Sequence, residues 1–354
     1  MEIFEELFGN RPWIISGPCS AETEEQTLTT ARLLAANGIK VFRAGIWKPR
    51  TRPGNFEGIG EEGLEWLKTV KRETGMLTST EVANAKHVWS AIKSGIDIIW
   101  IGARTTANPF AMQDIADSLK GCNIPVFVKN PVNPDVELWL GAVERLEAVG
   151  LNKIGLIHRG CSSYEKILYR NAPVWQIAME IRRRRPDLPL ICDPSHIAGK
   201  REYLQEISQK ALDLNFDGLM IEAHVNPDKA WSDAKQQLTP DALKGMLDRL
   251  VVRKLNPDVA SKESLNELRF KIDQMDSDII DLLRKRMDVC EKIGEYKKAN
   301  NMTVFQPSRW DSILNKYIDM AKERNLDEKF VADVFTAIHD ASVNVQSKVL
   351  NAGN

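Results

Sequence analysis

The sequence predicts a (β/α)8 barrel followed by a smaller all-α module of three helices. Three observations carry this reading. A chain of 354 residues exceeds one ordinary small domain. Between residue 13 and about 225, short β-branched or apolar runs alternate with longer amphipathic stretches. After about Leu250 the alternation stops, and apolar residues recur at helical spacing instead.

The strand-like runs are 13–19, 41–45, 77–82, 98–104, 126–130, 154–160, 188–194 and 218–225, which makes eight repeated β/α units. In a barrel of this kind the active site is built at the carboxyl ends of the strands. The runs end in, or just before, Cys19, Arg43, Arg104, Lys129, Arg159 and His196, with Glu222 inside the eighth. Strand ends with a purely structural role would not concentrate cations and metal-binding side chains in this way. Segment 182–185, four consecutive arginines before Pro186, reads as the solvated end of a barrel helix. The barrel is assigned to residues 1–250, a connection with little apolar content to 251–262, and the helical module to 263–354. In that module Ser264 is the expected cap of the first helix, with breaks expected near 300–307 and near Asn325.

The 48 basic and 49 acidic residues nearly cancel, so no global field points to nucleic acid or an anionic membrane. Anion binding must be local. Five cysteines (Cys19, Cys122, Cys161, Cys192 and Cys290) lack the spacing of a disulfide scaffold and suit a reducing compartment. With no signal-like amino terminus and no apolar stretch of membrane length, a cytoplasmic location is expected.

Two constellations sit on the predicted barrel rim. Cys19, His196, Glu222 and Asp233 offer a thiolate, an imidazole and two carboxylates, a mixed set suited to a first-row divalent metal. They come from the first, seventh and eighth units, neighbours in a closed barrel. Arg43, Lys48, Arg50, Arg104, Lys129 and Arg159 form a cationic set, which calls for a substrate with several negative groups.

These residues lie in GPCSAE, RAGIWKPRT, the GAR of IGARTT, VKNP, IHRG, DPSHIAGKR and IEAHVNPDKAWSDAKQQL. In order and spacing the segments resemble the type Iβ 3-deoxy-D-arabino-heptulosonate 7-phosphate (DAHP) synthases, over nearly all of residues 10–250. The resemblance implies condensation of phosphoenolpyruvate with erythrose 4-phosphate and water. It implies a divalent metal (Mn, or another first-row metal such as Fe, Co or Zn) on Cys19, His196, Glu222 and Asp233. Arg43, Lys48, Arg104, Lys129 and Arg159 would hold phosphoenolpyruvate, and Arg50 and Thr51 of KPRT would receive erythrose 4-phosphate. Lys48 is the expected proton donor, and Glu81 of STEV a candidate to manage water. The related octulosonate-phosphate synthases typically carry an Ala-Asn-Arg arrangement after the lysine, and KPRT argues against that branch.

The helical module has a puzzle of its own. Positions 272, 279, 283, 286, 290, 293 and 297 share one helix stripe, which is apolar except for Arg286 and Lys297. A buried unpaired cation is costly, so the two either snorkel to a solvent edge or face an anionic ligand, and the resemblance that follows favours the ligand. Residues 268–350 resemble the all-helical chorismate mutases through LRFKIDQMD, LLRKRM, GEYKK, QPSRW and DASVNVQ. That likeness implies rearrangement of chorismate to prephenate, with Arg269, Arg286, Lys297, Arg309 and Gln346 at the substrate. Lys297 and Gln346 would serve the ether oxygen and the arginines the carboxylates. Gln306 and Trp310 depart from the pattern, since many relatives carry acids there.

Family members usually form an intertwined dimer, so Arg269 is expected to act in the partner's site and the chain to be a homo-oligomer, a dimer through this module or a tetramer. The barrel starts close to the amino terminus, so feedback control is expected to reside in the helical module, with prephenate as effector. A catalytically weak ligand sensor is the competing reading of the module.

Overall fold

The computed structural model describes residues 2–48, 54, 56–164, 166–253 and 259–352, with the side chains of residues 2, 3, 7, 259–264, 307 and 308 outside the description. The chain divides into two compact units, Met1–Leu255 and Asn256–Asn354. No described helix is long and apolar enough to cross a membrane.

The first unit is a closed parallel barrel in sequential order. Its strands are β1 (Trp13–Gly17), β2 (Val41–Arg43), β3 (Leu77–Val82), β4 (Ile98–Ile101), β5 (Val126–Lys129), β6 (Ile154–His158), β7 (Leu190–Cys192) and β8 (Gly218–Glu222). All eight fall inside the expected runs, but most stop short of the expected ends. The reason is local. Cys19, Arg104 and Arg159 lie past the last paired residues, where the chain turns outward to form the mouth. Arg104 sits on a single helical turn, Ala103–Thr106.

Closure is made by β1 and β8 in the register Trp13↔Gly218 to Gly17↔Glu222. Gly17 has φ +152°, and a Cβ there would lie 2.0 Å from the Arg43 carbonyl oxygen, so only glycine lets β1 and β2 approach this closely.

Two apolar layers hold the barrel. One lies between strands and surrounding helices, with Leu34, Leu67, Val143, Ile181 and Ala211 facing Phe42, Ile99, Val128 and Leu219. The other fills the interior with Trp13, Ile15, Trp100, Phe127, Ile157, Ile191 and Met220. A helix the sequence reading did not anticipate, Glu2–Phe8, inserts Phe4 and Phe8 into this interior group. Phe8 stacks on Trp13 at 5.1 Å, and Phe4 meets Phe127 edge-on at 5.3 Å. The amino-terminal end of the barrel is thereby filled.

The arginine run behaves as expected of a solvated helix end: Arg183 and Arg184 pair with Glu180, and Arg185 pairs with Glu147 and Asp187. Arg182 and Arg185 are half-buried, and Arg182 turns back to Asp217 at 2.6 Å.

The second unit consists of three helices, Val259–Ala299, Pro307–Glu323 and Glu328–Asn351. The first starts five residues before Ser264, which therefore lies within the helix and does not cap it. Nothing in VASKES interrupts helical geometry, so the helix extends upstream. The breaks near 300–307 and at Asn325 fall between helices, with Asn301 and Asn325 both at positive φ.

One buried group should give this fold a pH signature. His158 is fully buried and donates from Nε2 to the Pro173 carbonyl at 2.5 Å. Burial above all pushes its pKa down to about 4, against 6.5 when free. Protonation therefore favours the unfolded chain. Stability should be intact above pH 6.5 and fall as the pH drops from about 6.5 toward 4, by up to roughly 3 kcal/mol. Denaturant midpoints across this range should show the slope in the parental chain and a shallower one in His158→Gln.

Candidate active sites

At the barrel mouth, three of the four expected metal ligands converge and the fourth adjoins them. Single donor atoms of Cys19, Glu222 and Asp233 all lie within 4.8 Å of one another. The Cys19 thiol donates to Asp233 Oδ2 at 3.3 Å. Asp233 reaches the group because its backbone adopts a left-handed conformation, φ +49°, uncommon outside glycine but tolerated by Asp. Glu222 Oε2 accepts from Gln236 at 2.7 Å. Its buried Oε1 accepts no hydrogen bond and lies 3.3 Å from the Arg43 guanidinium and 3.7 Å from His196 Nε2. The other ring nitrogen of His196 faces Asp193 at 2.8 Å, the carboxylate-backed arrangement that orients metal-binding histidines.

The electrostatics fit a cation in this space. Burial, then the charge of Glu222, pushes the Cys19 thiol up to about 12, with Lys48 pulling the other way. Burial works against ionising Asp233, but Arg170 and His196 hold its carboxyl well below the usual range. A thiol and two carboxylates packed together, one with an unsatisfied oxygen, form a donor set that a first-row divalent ion would complete.

The cations are distributed by depth. Arg43 is buried beneath the mouth against the Trp100 ring at 4.8 Å, with Nε and Nη1 lacking hydrogen-bond partners. Lys48, Arg104, Lys129 and Arg159 line one cavity with Glu81, His196 and Asp233. Lys48 Nζ donates to the Cys19 carbonyl at 3.0 Å and lies 3.2 Å from its sulfur. Arg159 donates to Asn171 at 2.8 Å. Burial first, then Arg170 and Arg104, bring its pKa down to about 10 despite the opposing pull of Asp193. Such crowding of like charge is the signature of a site waiting for anions. Arg50 and Thr51 lie outside the described residues.

Glu81 accepts from the Trp100 indole at 3.0 Å and packs against Gly102, where a Cβ would lie 2.3 Å from Glu81 Oε1.

Several residues of this site escaped sequence reasoning. Arg170 lines the cavity, pairs with Asp233 at 2.9 Å and donates to Gln236 at 2.7 Å. Asp193 carries both His196 and Lys129. Gln237 accepts from the Cys19 backbone N–H at 2.9 Å. Asp193 and the two glutamines stood in DPSH and DAKQQL, but Arg170 had no pattern to flag it.

In the helical module, Lys297, Ser342 and Gln346 are buried and Arg286 is half-buried. Arg286 donates to Ser342, and Lys297 to the Val304 carbonyl at 2.5 Å. Arg269 and Arg309 are exposed. Of the expected stripe, Leu283, Arg286, Cys290 and Lys297 are at least half-buried, whereas Ile272, Ile279 and Ile293 are exposed.

A closed parallel barrel with ligating and cationic side chains gathered at the carboxyl ends of its strands defines an enzyme acting on small anionic substrates. Residues 8–254 match the model of the DAHP synthetase I family, and residues 268–347 that of chorismate mutase type II. The chain belongs to the DAHP synthetase I family and carries a chorismate mutase module, which makes it a bifunctional enzyme of the shikimate pathway. It is 35% identical to phospho-2-dehydro-3-deoxyheptonate aldolase of Thermotoga maritima, over 67% of this chain and 68% of that protein. The crystal structure of that DAHP synthase superposes with a TM-score of 0.60 at 34% identity, covering 66% of this chain and 67% of the other. A 2-dehydro-3-deoxyphosphooctonate aldolase of Desulfotalea psychrophila is 29% identical over 67% of this chain and 88% of its own length.

Asp193 offers a direct check on this charge network. Asp193→Asn would leave Lys129 buried and unpaired, at a cost of about 3–5 kcal/mol in unfolding free energy. Adding Lys129→Met should recover most of that loss in denaturant titrations.

Proposed function

We propose that the barrel condenses phosphoenolpyruvate with erythrose 4-phosphate and water, releasing phosphate, on a divalent metal held by Cys19, His196, Glu222 and Asp233. The observation that carries this reading is the meeting, in one cavity, of a soft–hard donor cluster and the cations Lys48, Arg104, Lys129 and Arg159. Lys129, Arg159 and Arg104 hold the phosphate and carboxylate of the enol donor, with Arg43 beneath. Arg50 and Thr51 receive the sugar phosphate. A bound Mn, Fe, Co or Zn ion supplies Lewis acidity toward the aldehyde. Burial works against the charge of Lys48, but the carboxylates Glu81 and Glu222 help to keep it protonated, and it delivers a proton to the former aldehyde oxygen. Glu81, fixed by the Trp100 indole, orients the water that adds to the old enol-phosphate carbon.

The helical module rearranges chorismate to prephenate. This unimolecular step asks the protein only to hold a compact conformer and stabilise charge on the ether oxygen. Lys297 and Gln346 face that oxygen, while Arg286 and Arg309 take the carboxylates. The exposed Leu268, Ile272, Met275, Ile279 and Leu282 support pairing of the first helix with a second copy, whose Arg269 would complete the site. The sensor reading is favoured by Trp310 alone, which puts an indole where an acid would orient the substrate. All five cysteines are free, in keeping with a cytoplasmic enzyme.

The two activities should separate cleanly. Removing metal with a chelator, or making Cys19→Ala, should abolish DAHP formation and leave chorismate turnover intact. Arg286→Ala should do the reverse. Synthase turnover by a metal-free Cys19→Ala enzyme would refute the metal assignment, and parental mutase rates in Arg286→Ala would refute the pocket. The module also serves as the feedback element: prephenate bound there inhibits the synthase, with a coupling of about 1–3 kcal/mol. Synthase rates with and without prephenate, in the whole chain and in one cut after Val252, decide this. Inhibition should vanish in the shortened chain; equal inhibition of both places the effector in the barrel, and inhibition of neither removes the role.

A further inference from the structure

The helical pocket holds two buried polar atoms that the described residues leave unsatisfied. Gln346 is 8% exposed, and its Oε1 has no hydrogen-bond partner. His339 Nε2 is likewise buried without one. Buried polar atoms are rarely left unpaired unless a ligand, ion or water completes them.

His339 is firmly placed. Its ring stacks on Trp310 at 4.0 Å and 19° between planes, and Phe305 meets it edge-on at 6.0 Å. Burial, reinforced by the charges of Arg286 and Lys297 and opposed by Asp340, keeps its pKa below the ordinary value, so the imidazole is neutral at pH 7. It lies on the same helix face as Ser342 and Gln346, three and seven residues on, and Ser342 is the residue that meets Arg286. A carboxylate beside these residues would be taken by the two cations, which bind it more strongly than a neutral ring does. What the ring offers is one hydrogen bond to an uncharged polar group. The Ser342 hydroxyl already has partners in Arg286 and the Ile338 carbonyl, whereas His339 Nε2 has none among the described residues.

We propose that His339, oriented by its stack on Trp310, binds the ring alcohol of the dicarboxylate that occupies this pocket. The inference rests on the mutase reading of the module and deepens it. Trp310 stands where the family pattern has an acid, and its indole, which cannot accept a hydrogen bond strongly, positions a neighbouring group that can. Alcohol recognition is thus transferred to another helix and performed by a neutral group, so the pocket keeps its full positive charge for the two carboxylates.

The test uses the full-length chain and two probes: a bicyclic oxa-bridged dicarboxylic acid bearing the ring alcohol, and its deoxy counterpart. Titration calorimetry should show the parental chain binding the alcohol about tenfold more tightly, the size expected of one well-placed hydrogen bond. In His339→Phe, which keeps the stack and the bulk, the ratio should fall to about one with deoxy affinity unchanged. Trp310→Phe should retain most of the preference. Adding Trp310→Glu to His339→Phe should restore it by returning an acceptor to the site. A tenfold ratio surviving in His339→Phe, or no preference in the parental chain, overturns the proposal. Failure of the mutase reading looks different: the parental chain would then bind both probes and leave chorismate unchanged.

Discussion

The β1–β8 seam is the constraint on which the barrel's chemistry depends. Cys19 and Glu222 are separated by most of the barrel sequence, and only the pairing of Trp13–Gly17 with Gly218–Glu222 sets them side by side. The seam has little slack, because at Gly17 a side chain of any size would strike the Arg43 carbonyl. The same closure brings Arg43 within 3.3 Å of both the Cys19 carbonyl and Glu222. One backbone register thus places a thiol, a carboxylate and a guanidinium from three strands within reach of each other.

So much charge in one mouth is tolerable only because it is balanced locally. Asp193 and Glu222 are fully buried and would be costly alone. Lys129 and His196 stand against the first, and Arg43, His196 and Gln236 against the second. What remains is telling: one Glu222 oxygen and two Arg43 nitrogens make no hydrogen bond, and Arg159 is crowded by other cations. These are the points at which a cation and substrate anions would supply the missing partners.

The barrel was legible in the sequence because strand periodicity and chemistry coincide at the carboxyl ends of the strands, as with Arg43, Lys129 and Glu222. Strand ends were overextended where loops begin, since an apolar run does not reveal where hydrogen bonding stops. Arg170 was invisible because its role is set by the fold, across 63 positions from Asp233 (233 − 170), and its own segment has neither period nor motif. The Glu2–Phe8 helix is too short for a reliable period, and Phe4 and Phe8 acquire meaning only when packed on Phe127 and Trp13. In the helical module the burial of Lys297 and half-burial of Arg286 agree with the stripe read from the sequence, whereas Ile272, Ile279 and Ile293 of that stripe are exposed. The start of the first helix was not legible, because Ser264 is compatible with both a cap and an interior position.

The Glu2–Phe8 helix also decides how molecules travel. With Phe4 and Phe8 filling the amino-terminal end of the barrel and Trp100 and Phe127 packing its interior, the described residues leave no passage through the axis. Among the described residues the cavity lined by Arg104, Lys129, Arg159 and Arg170 lies at the opposite end. Two molecules sharing that cavity would lie in series, the deeper one shielded from solvent by the one above it.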